Sequence, residues 1–355
     1  MYDGTDYPAA GLSSPWSVEA RPGPFQGRPV FLHGMWRSGS TYLWSRFRAL
    51  PETQCFYEPL HHGLAKLTRS RIAHDTPEQI SANRHPSLSQ PYFSEFSSLI
   101  GIRGVRGYRR DLAYDRFVLD AADRHPRLER YITGLVDHAA GQGRTAVLGF
   151  NRTGLRLAWM KAQFASYNIY IDREPAAIWA SYAAEMAKGN FSFYAMWLTV
   201  LEKNANHPLL APLVERLGLK LSVGDHLQKA KARHRRIMTA MSHEQSYFMV
   251  FYLWLACTGH ALSQCDLLID TRLAESDRYP RRVQAEIAYA TGLKIDLSEM
   301  RAAEPRVALS CAMRDRIEQS AIALFPRSAL PRTAASRRRL ANVSSRKAEH
   351  LAAVC

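Results

Sequence analysis

The stretch Gly34-Met-Trp-Arg-Ser-Gly-Ser-Thr41 constrains the fold more than any other part of this chain. A short apolar run at 29–33 precedes it, and 41–50, closed by Pro51, has the character of a helix. A strand, a glycine-bearing loop and a helix in that order form the setting of a phosphate-binding loop. The nucleotide-hydrolase pattern is G-x-x-x-x-G-K-[ST], and Gly34, Gly39 and Thr41 meet it. Ser40 stands where that pattern has lysine, and the cationic side chain comes earlier, at Arg37. In nucleotide hydrolases the lysine reaches the β- and γ-phosphates and the adjacent hydroxyl holds magnesium. A loop without the lysine keeps its amides and its helix N-terminus for an anion, but is poorly equipped to hydrolyse ATP.

Further apolar runs at 54–57, 145–151, 167–171 and 267–270 read as buried strands. Helices are expected over 155–164, from Pro175 onward, through most of 190–262, and over 278–291 with a stop at Gly292. Strands alternating with helices imply an α/β fold, a parallel β-sheet flanked by helices on both faces. Residues 1–27, rich in Pro, Gly and Ser, read as a flexible N-terminal arm, 28–326 as a single domain, and 327–355 as a basic C-terminal tail. The segment 60–125 is polar, basic and without period, and its elements are not placed.

The net charge of +15 favours anionic partners such as nucleotides, sulfated or phosphorylated substrates, membrane surfaces and nucleic acid. Much of the excess sits in 327–347, which carries seven basic residues and no acidic one. No nucleic-acid module is evident, so no specific nucleic acid is expected. Five scattered cysteines without a C-x-x-C pair suggest reduced thiols rather than a disulfide framework or a metal site. The most apolar segment, 247–262, is shorter than the roughly 20 residues of a membrane span and is interrupted by Thr258, Gly259 and His260, so it reads as a buried helix. No leader pattern opens the chain, and the expected location is cytoplasmic.

In open parallel sheets ligands bind beyond the carboxyl ends of the strands. The 34–41 loop, Glu58, Asn151-Arg152 and Arg173 all fall at such ends. Gly34 and Gly39 allow close backbone approach, Ser38, Ser40 and Thr41 offer hydroxyls, and Arg37 offers a fixed positive charge. Arg173 comes just before the helix that Pro175 opens, and Ser181 falls on that helix's second turn, so the two could clamp one anion.

Together these elements resemble the PAPS-dependent sulfotransferases, in motif style the carbohydrate-type and bacterial members; PAPS is 3′-phosphoadenosine 5′-phosphosulfate. Phe31-Leu-His-Gly-Met-Trp-Arg-Ser-Gly-Ser-Thr-Tyr-Leu43 is similar to the family's 5′-phosphosulfate loop. Phe56-Tyr-Glu-Pro-Leu60 is similar to the Glu-Pro-Leu element of carbohydrate sulfotransferases. Ile169-Tyr-Ile-Asp-Arg-Glu-Pro175 through Ser181 is similar to the 3′-phosphate element. Weaker similarity runs through 148–152 and 268–273. The resemblance implies a P-loop nucleotide-hydrolase-like sulfotransferase fold with PAPS as donor, PAP as product and no metal. It implies that Arg37 neutralises the bridging oxygen of the leaving phosphate and that Ser38 to Thr41 hold the phosphosulfate. Tyr42 would stack on adenine, and Arg173 with Ser181 would hold the 3′-phosphate.

The resemblance also leaves choices open. The histidine base of cytosolic small-molecule members has no counterpart that can be placed here, and Glu58 suits by position as base, with His61 and His62 as rivals. The acceptor would be a hydroxyl or amine, a carbohydrate or glycolipid fitting the motif style. Arg103, Arg106, Arg109 and Arg110 with Tyr108 read as an acceptor wall or a solvated basic face, and Arg152 and Arg156 as acceptor-site residues. The alternative is a P-loop-type nucleotide kinase or hydrolase lacking the usual lysine, with Asp172 or Asp270 as magnesium carboxylate.

Overall fold

In the computed structural model, which describes residues 23–74, 88, 90–221, 227–302 and 309–326, the apolar runs become the strands of a parallel sheet. In chain order the strands are β1 (Val30–Gly34), β2 (Thr53–Tyr57), β3 (Ile100–Gly101), β4 (Gly104–Val105), β5 (Thr145–Phe150), β6 (Tyr167–Asp172) and β7 (Leu267–Asp270). The helices are α1 (Ser40–Arg48), α2 (Arg69–Ala73), α3 (Pro126–Ala140), α4 (Leu157–Gln163), α5 (Pro175–Ala187), α6 (Ser192–Asn204), α7 (Ala211–Arg216), α8 (Leu227–Ala240), α9 (His243–Gln264), α10 (Arg278–Thr291) and α11 (Cys311–Leu324).

The main sheet has the order β2-β5-β1-β6-β7, and every pairing in it is parallel. The α/β architecture with a parallel sheet flanked by helices is thus present. β1 lies at the centre, flanked by β5 (Phe31 opposite Leu148) and β6 (Phe31 opposite Asn168). Every residue of β1, β2 and β6 is buried, which is why these strands appear in sequence as unbroken apolar runs rather than alternating ones. Side chains nevertheless alternate between faces. Val30, Leu32, Ile169 and Ile171 pack with Leu43, Trp44 and Phe47 of α1 and Val283 and Ile287 of α10. Phe31, Phe56, Leu148 and Phe150 pack on the opposite face with Leu128, Ile132 and Leu135 of α3 and with Trp159.

α9 is the expected buried helix. Its N-terminus carries a capping box between Ser242 and Gln245, and it runs through a core of Trp179, Tyr182, Trp197, Tyr252 and Trp254. No helix among the described residues is long and apolar enough to cross a membrane. α1 begins one residue earlier than expected, because Gly39 takes a left-handed conformation (φ 100°) as its N-cap, and it ends at Arg48, ahead of Pro51. The expected helix at 155–164 is shorter, at Leu157–Gln163. The described residues of the 60–125 segment form short pieces: the 3₁₀ turns His62–Lys66, Ser94–Leu99 and Arg110–Ala113, the five-residue helix α2 and the β3–β4 hairpin.

The last residues of the expected N-terminal arm are packed: the Phe25 amide donates to the Ala290 carbonyl at 2.9 Å, and the Phe25 ring lies 5.0 Å from that of Tyr167. Residues 1–22 and the whole 327–355 tail lie outside the described residues. Cys55, Cys257 and Cys265 are free thiols, but Cys311 is disulfide-bonded, which corrects the expectation of reduced cysteines at that position.

Candidate functional site

The parallel strands deliver their carboxyl ends to one side of the sheet in a fixed order: Glu58 after β2, Asn151 and Arg152 after β5, the 35–39 loop after β1, Arg173 after β6. Neighbouring strands lie about 4.8 Å apart, so these groups are consecutive along one rim. A cavity of about 850 Å³ opens over it. Arg37, Gly39, Ser40, Thr41, Tyr42, Glu58 and Arg173 line that cavity, so seven of the expected site residues share one space.

The β1–α1 loop is built around two glycines that cannot be replaced freely. A Cβ on Gly34 would stand 2.5 Å from Ser38 Oγ and 2.8 Å from Ile171 Cγ2. Gly39 occupies the left-handed region, and Arg37 does so too, at φ 67°. That conformation is uncommon for a residue with a side chain and is kept when its surroundings over-determine it. Here the surroundings are visible. Arg37 Nε donates to Ser181 Oγ at 2.8 Å, and Arg173 donates through Nη1 to the Arg37 carbonyl at 2.8 Å. The Arg37 guanidinium also lies over the Phe193 ring, 5.5 Å from its centroid. The loop and the β6–α5 junction, far apart in sequence, therefore meet through Arg37, Arg173 and Ser181. Ser181 does not pair directly with Arg173, as a simple clamp would have it; Arg37 stands between them.

The hydroxyls divide. Ser40 Oγ donates to Asn151 Oδ1 at 2.7 Å, tying the loop to β5, and Thr41 Oγ1 shares a hydrogen bond with the Tyr57 hydroxyl at 3.0 Å. Ser38 Oγ is buried with no hydrogen-bond partner among the described residues, and the same holds for Arg173 Nε. Gly39 contributes no side-chain cap to α1, so the first amides of that helix point toward the cavity without one. Burial, and then the charge of Arg37, pushes Arg173 down to about 10, which leaves it cationic at neutral pH. Arg37 and Arg173, together with the α1 N-terminus, give this end of the cavity the character of an anion site, whereas Gly34, Ser38 and Ser181 lie behind the lining. Tyr42 is half-buried beneath Arg46, 4.7 Å from ring centroid to guanidinium carbon, and presents to the cavity.

Glu58 sits at φ 38°, another left-handed residue. Its carboxylate accepts from Asn151 Nδ2 at 2.9 Å and pairs with the Arg152 guanidinium. Burial alone would raise its pKa, but Arg152, His61 and the two hydrogen bonds outweigh burial and hold it down at about 2. It faces the cavity as a locked carboxylate. His61 accepts at Nδ1 from the Gly63 amide at 3.2 Å, which places its neutral-state proton on Nε2 and removes it as a proton acceptor there. His62 Nδ1 meets the Tyr114 hydroxyl at 3.1 Å. Burial depresses both imidazoles, His61 to about 4 and His62 to about 3.

Several expectations are corrected. Arg152 is 1% exposed, pairs with Glu58 and stacks over Trp36, so it supports the site from beneath rather than facing an acceptor. Arg156 is fully buried and donates to the carbonyls of Leu112, Asp115 and Arg116, pinning one wall of the cavity instead of lining it. Tyr108 is buried with its hydroxyl on the Leu60 carbonyl. Of the Arg103, Arg106, Arg109 and Arg110 group, Arg110 alone lines the cavity. Asp172 and Asp270 do not line it. Asp172 Oδ1 accepts from Trp254 and Thr258, and burial raises its pKa to about 7. Asp270 is bidentate with Arg272 at 2.7 Å for each contact. Neither carboxylate is offered to the loop.

The side of the cavity that lacks any sequence motif comes from α6 and α8: Met196, Thr199, Glu202, Lys203, Arg233 and His234. Glu202 there pairs with both Arg233 and His234. Nothing in the spacing of these residues marks them, since they meet only when two amphipathic helices pack. No protein-family model, curated protein or solved structure matches the chain.

Proposed function

We propose that the chain is a PAPS-dependent sulfotransferase, with a P-loop-like sulfotransferase fold over 28–326, that moves a sulfuryl group to a hydroxyl or amine of an acceptor and releases PAP. A carbohydrate or glycolipid is the acceptor class suggested by the Glu-Pro-Leu element. The observation that carries the reading is the junction of Arg37, Ser181 and Arg173. It couples two anion-binding elements from separate segments, and a donor phosphorylated at both its 3′ and 5′ positions needs two.

In this reading the loop amides, Ser38 and the α1 N-terminus hold the phosphosulfate, while Arg173 takes the 3′-phosphate. The acceptor oxygen attacks sulfur in line. The bond from sulfur to the bridging oxygen breaks, and its electron pair leaves on the 5′-phosphate of PAP, where Arg37 balances the charge. The acceptor proton passes to Glu58. A carboxylate held at about 2 suffices, because an oxygen already bonded to a sulfuryl group is strongly acidic. Positioning and charge stabilisation do most of the work.

Calorimetry tests the donor. Tight PAP binding that needs no magnesium is expected, followed by turnover of labelled PAPS in a screen of glycans, lipids and phenols. A preference for ATP with magnesium dependence would overturn the proposal and point to the kinase or hydrolase reading.

A further inference from the structure

A second surface stands apart from the cavity. The β3–β4 hairpin carries Ile102 at its tip, and Ile102 is fully exposed, the most exposed large apolar side chain among the described residues. A lone exposed apolar residue needs no explanation. This one differs in how it is held and in what surrounds it.

The hairpin is rigidly mounted. Gly104, at φ 82°, lies so close to the 62–66 turn that a Cβ there would stand 2.2 Å from the Leu64 carbonyl oxygen. Val105 is buried, and the Arg106 amide donates to the Leu99 carbonyl at 2.9 Å. Ile102 is thus presented on a fixed arm. Around it stand cations. Arg103 follows it directly, and Arg106 lies beside Gly101, where an added Cβ would stand 3.1 Å from Arg106 Cγ. Arg106 Nη2 donates to the Ser98 carbonyl and Arg69 Nε to the neighbouring Ser97 carbonyl, at 2.7 and 3.3 Å, which brings these two together. Arg69, Arg103 and Arg106 are exposed and form no ion pair with another described residue. Glu95, on the adjoining 3₁₀ turn, is taken by Arg48.

We propose that this hairpin docks the protein on an anionic lipid bilayer, with Ile102 entering the interfacial layer and Arg69, Arg103 and Arg106 meeting the lipid phosphates. An apolar tip ringed by cations fits a surface that is charged outside and apolar just beneath. A polyanion such as a glycan or nucleic acid would use the cations and leave Ile102 in water, so the apolar tip selects the bilayer. The inference does not depend on the sulfotransferase reading.

The test is co-sedimentation of the full chain with phosphatidylcholine vesicles, with and without phosphatidylserine, and with heparin as a competing probe. Preferential binding to the phosphatidylserine vesicles is expected. Ile102→Asp should weaken it by about tenfold, the loss of one buried aliphatic side chain. Arg103→Glu with Arg106→Glu should weaken it by more than about twenty-five-fold, roughly fivefold for each of the two positive charges removed with the introduced negative charges adding to the loss. Ile102→Asp should keep the parent melting temperature, because that side chain is exposed, and the arginine variant should lower it only slightly, through loss of the exposed Arg106–Ser98 hydrogen bond. The proposal fails if the parent protein ignores anionic vesicles. It also fails if both variants bind them as well as the parent, which would assign binding to the 327–355 tail. Loss of affinity for heparin and vesicles alike in the arginine variant, with none in Ile102→Asp, would overturn it in favour of a soluble polyanion.

Discussion

Replacing Glu58 by glutamine tests the centre of the site, and the structure sets the size of the effect. Glu58 is 8% exposed and bonded to Arg152 and Asn151, and its pKa falls from 4.5 to about 2 on folding. A folded value below the unfolded one stabilises the fold above the unfolded pKa, and that contribution disappears as pH drops toward the folded value. At about 1.4 kcal/mol for each unit, the carboxylate contributes roughly 3 kcal/mol at neutral pH, all of it lost between about pH 4.5 and 2. Glu58→Gln removes this and leaves Arg152, 1% exposed, without its counter-charge. Breaking a buried pair in that way costs about 3–5 kcal/mol. Urea unfolding at pH 7, repeated down to pH 3, should show that loss together with a flatter acid limb. A Glu58→Gln protein within about 1 kcal/mol of the parent, or with the same acid limb, would refute the ion-pair argument. Turnover alone does not separate structure from chemistry here, so the double variant Glu58→Gln with Arg152→Met is decisive. Removing both charges should recover most of the stability, since apolar replacement of a buried pair is often neutral or better. If turnover stays low in that stable protein while PAP still binds, Glu58 accepts the proton; restored turnover would reduce it to a structural role.

Three further outcomes follow from the same geometry. Arg173→Ala should weaken PAP binding by about a hundredfold, with a much smaller loss for adenosine 5′-phosphosulfate, which lacks the 3′-phosphate; equal losses in calorimetry would remove Arg173 from that role. Arg37→Gly should relieve the left-handed backbone at φ 67° and change stability by less than about 1 kcal/mol, yet abolish measurable PAP affinity; retained affinity would make the loop a mere turn. Arg156→Ala should cost more than about 3 kcal/mol and speed amide exchange across 110–117, because three carbonyls lose the charged donor they share; unchanged exchange in that segment would show that the wall holds itself.

The strands were legible because a parallel sheet covered on both faces demands continuous apolar runs, and β7 at Leu267–Asp270 and α10 at Arg278–Thr291 match the expected limits. Gly292 ends α10 in a left-handed cap (φ 79°), a local requirement that a single residue type announces. The loop was legible for the same reason: Gly34 and Gly39 are required where a Cβ would collide or a left-handed turn is needed. Strand order was not legible, because β5 inserts between β1 and β2 through contacts that no local pattern encodes. Nor was the fate of the charged residues. Arg152 and Arg156 look like ordinary cavity cations in sequence, and only packing reveals that one neutralises Glu58 and the other staples a loop. The 60–125 segment resisted for a third reason. Its 3₁₀ turns and two-residue strands are too short to generate a period, so their positions are fixed by the surfaces they cover.

The residue absent from the loop is now informative in a physical sense. Ser40, at the lysine position, spends its hydroxyl on Asn151 and so belongs to the framework of the rim. The cation that replaces the lysine enters from Arg37, whose guanidinium is drawn toward α5 by Ser181 rather than along the loop axis. The two aspartates best placed by sequence to hold magnesium are engaged elsewhere, Asp172 with Trp254 and Thr258, Asp270 with Arg272. Arg37 and Arg173 therefore lie between the loop and α5, on the β6 side of β1, while Glu58 lies on the β2 side, and Glu202 is held by Arg233 and His234 on the wall built by α6 and α8. That separation suits a reaction in which a leaving group gathers negative charge at one end of the cavity and an acceptor loses a proton at the other. The proposed transfer of a sulfuryl group from a doubly phosphorylated donor makes that demand, and the engagement of Asp172 and Asp270 elsewhere leaves the loop without the carboxylate that a magnesium nucleotide would need.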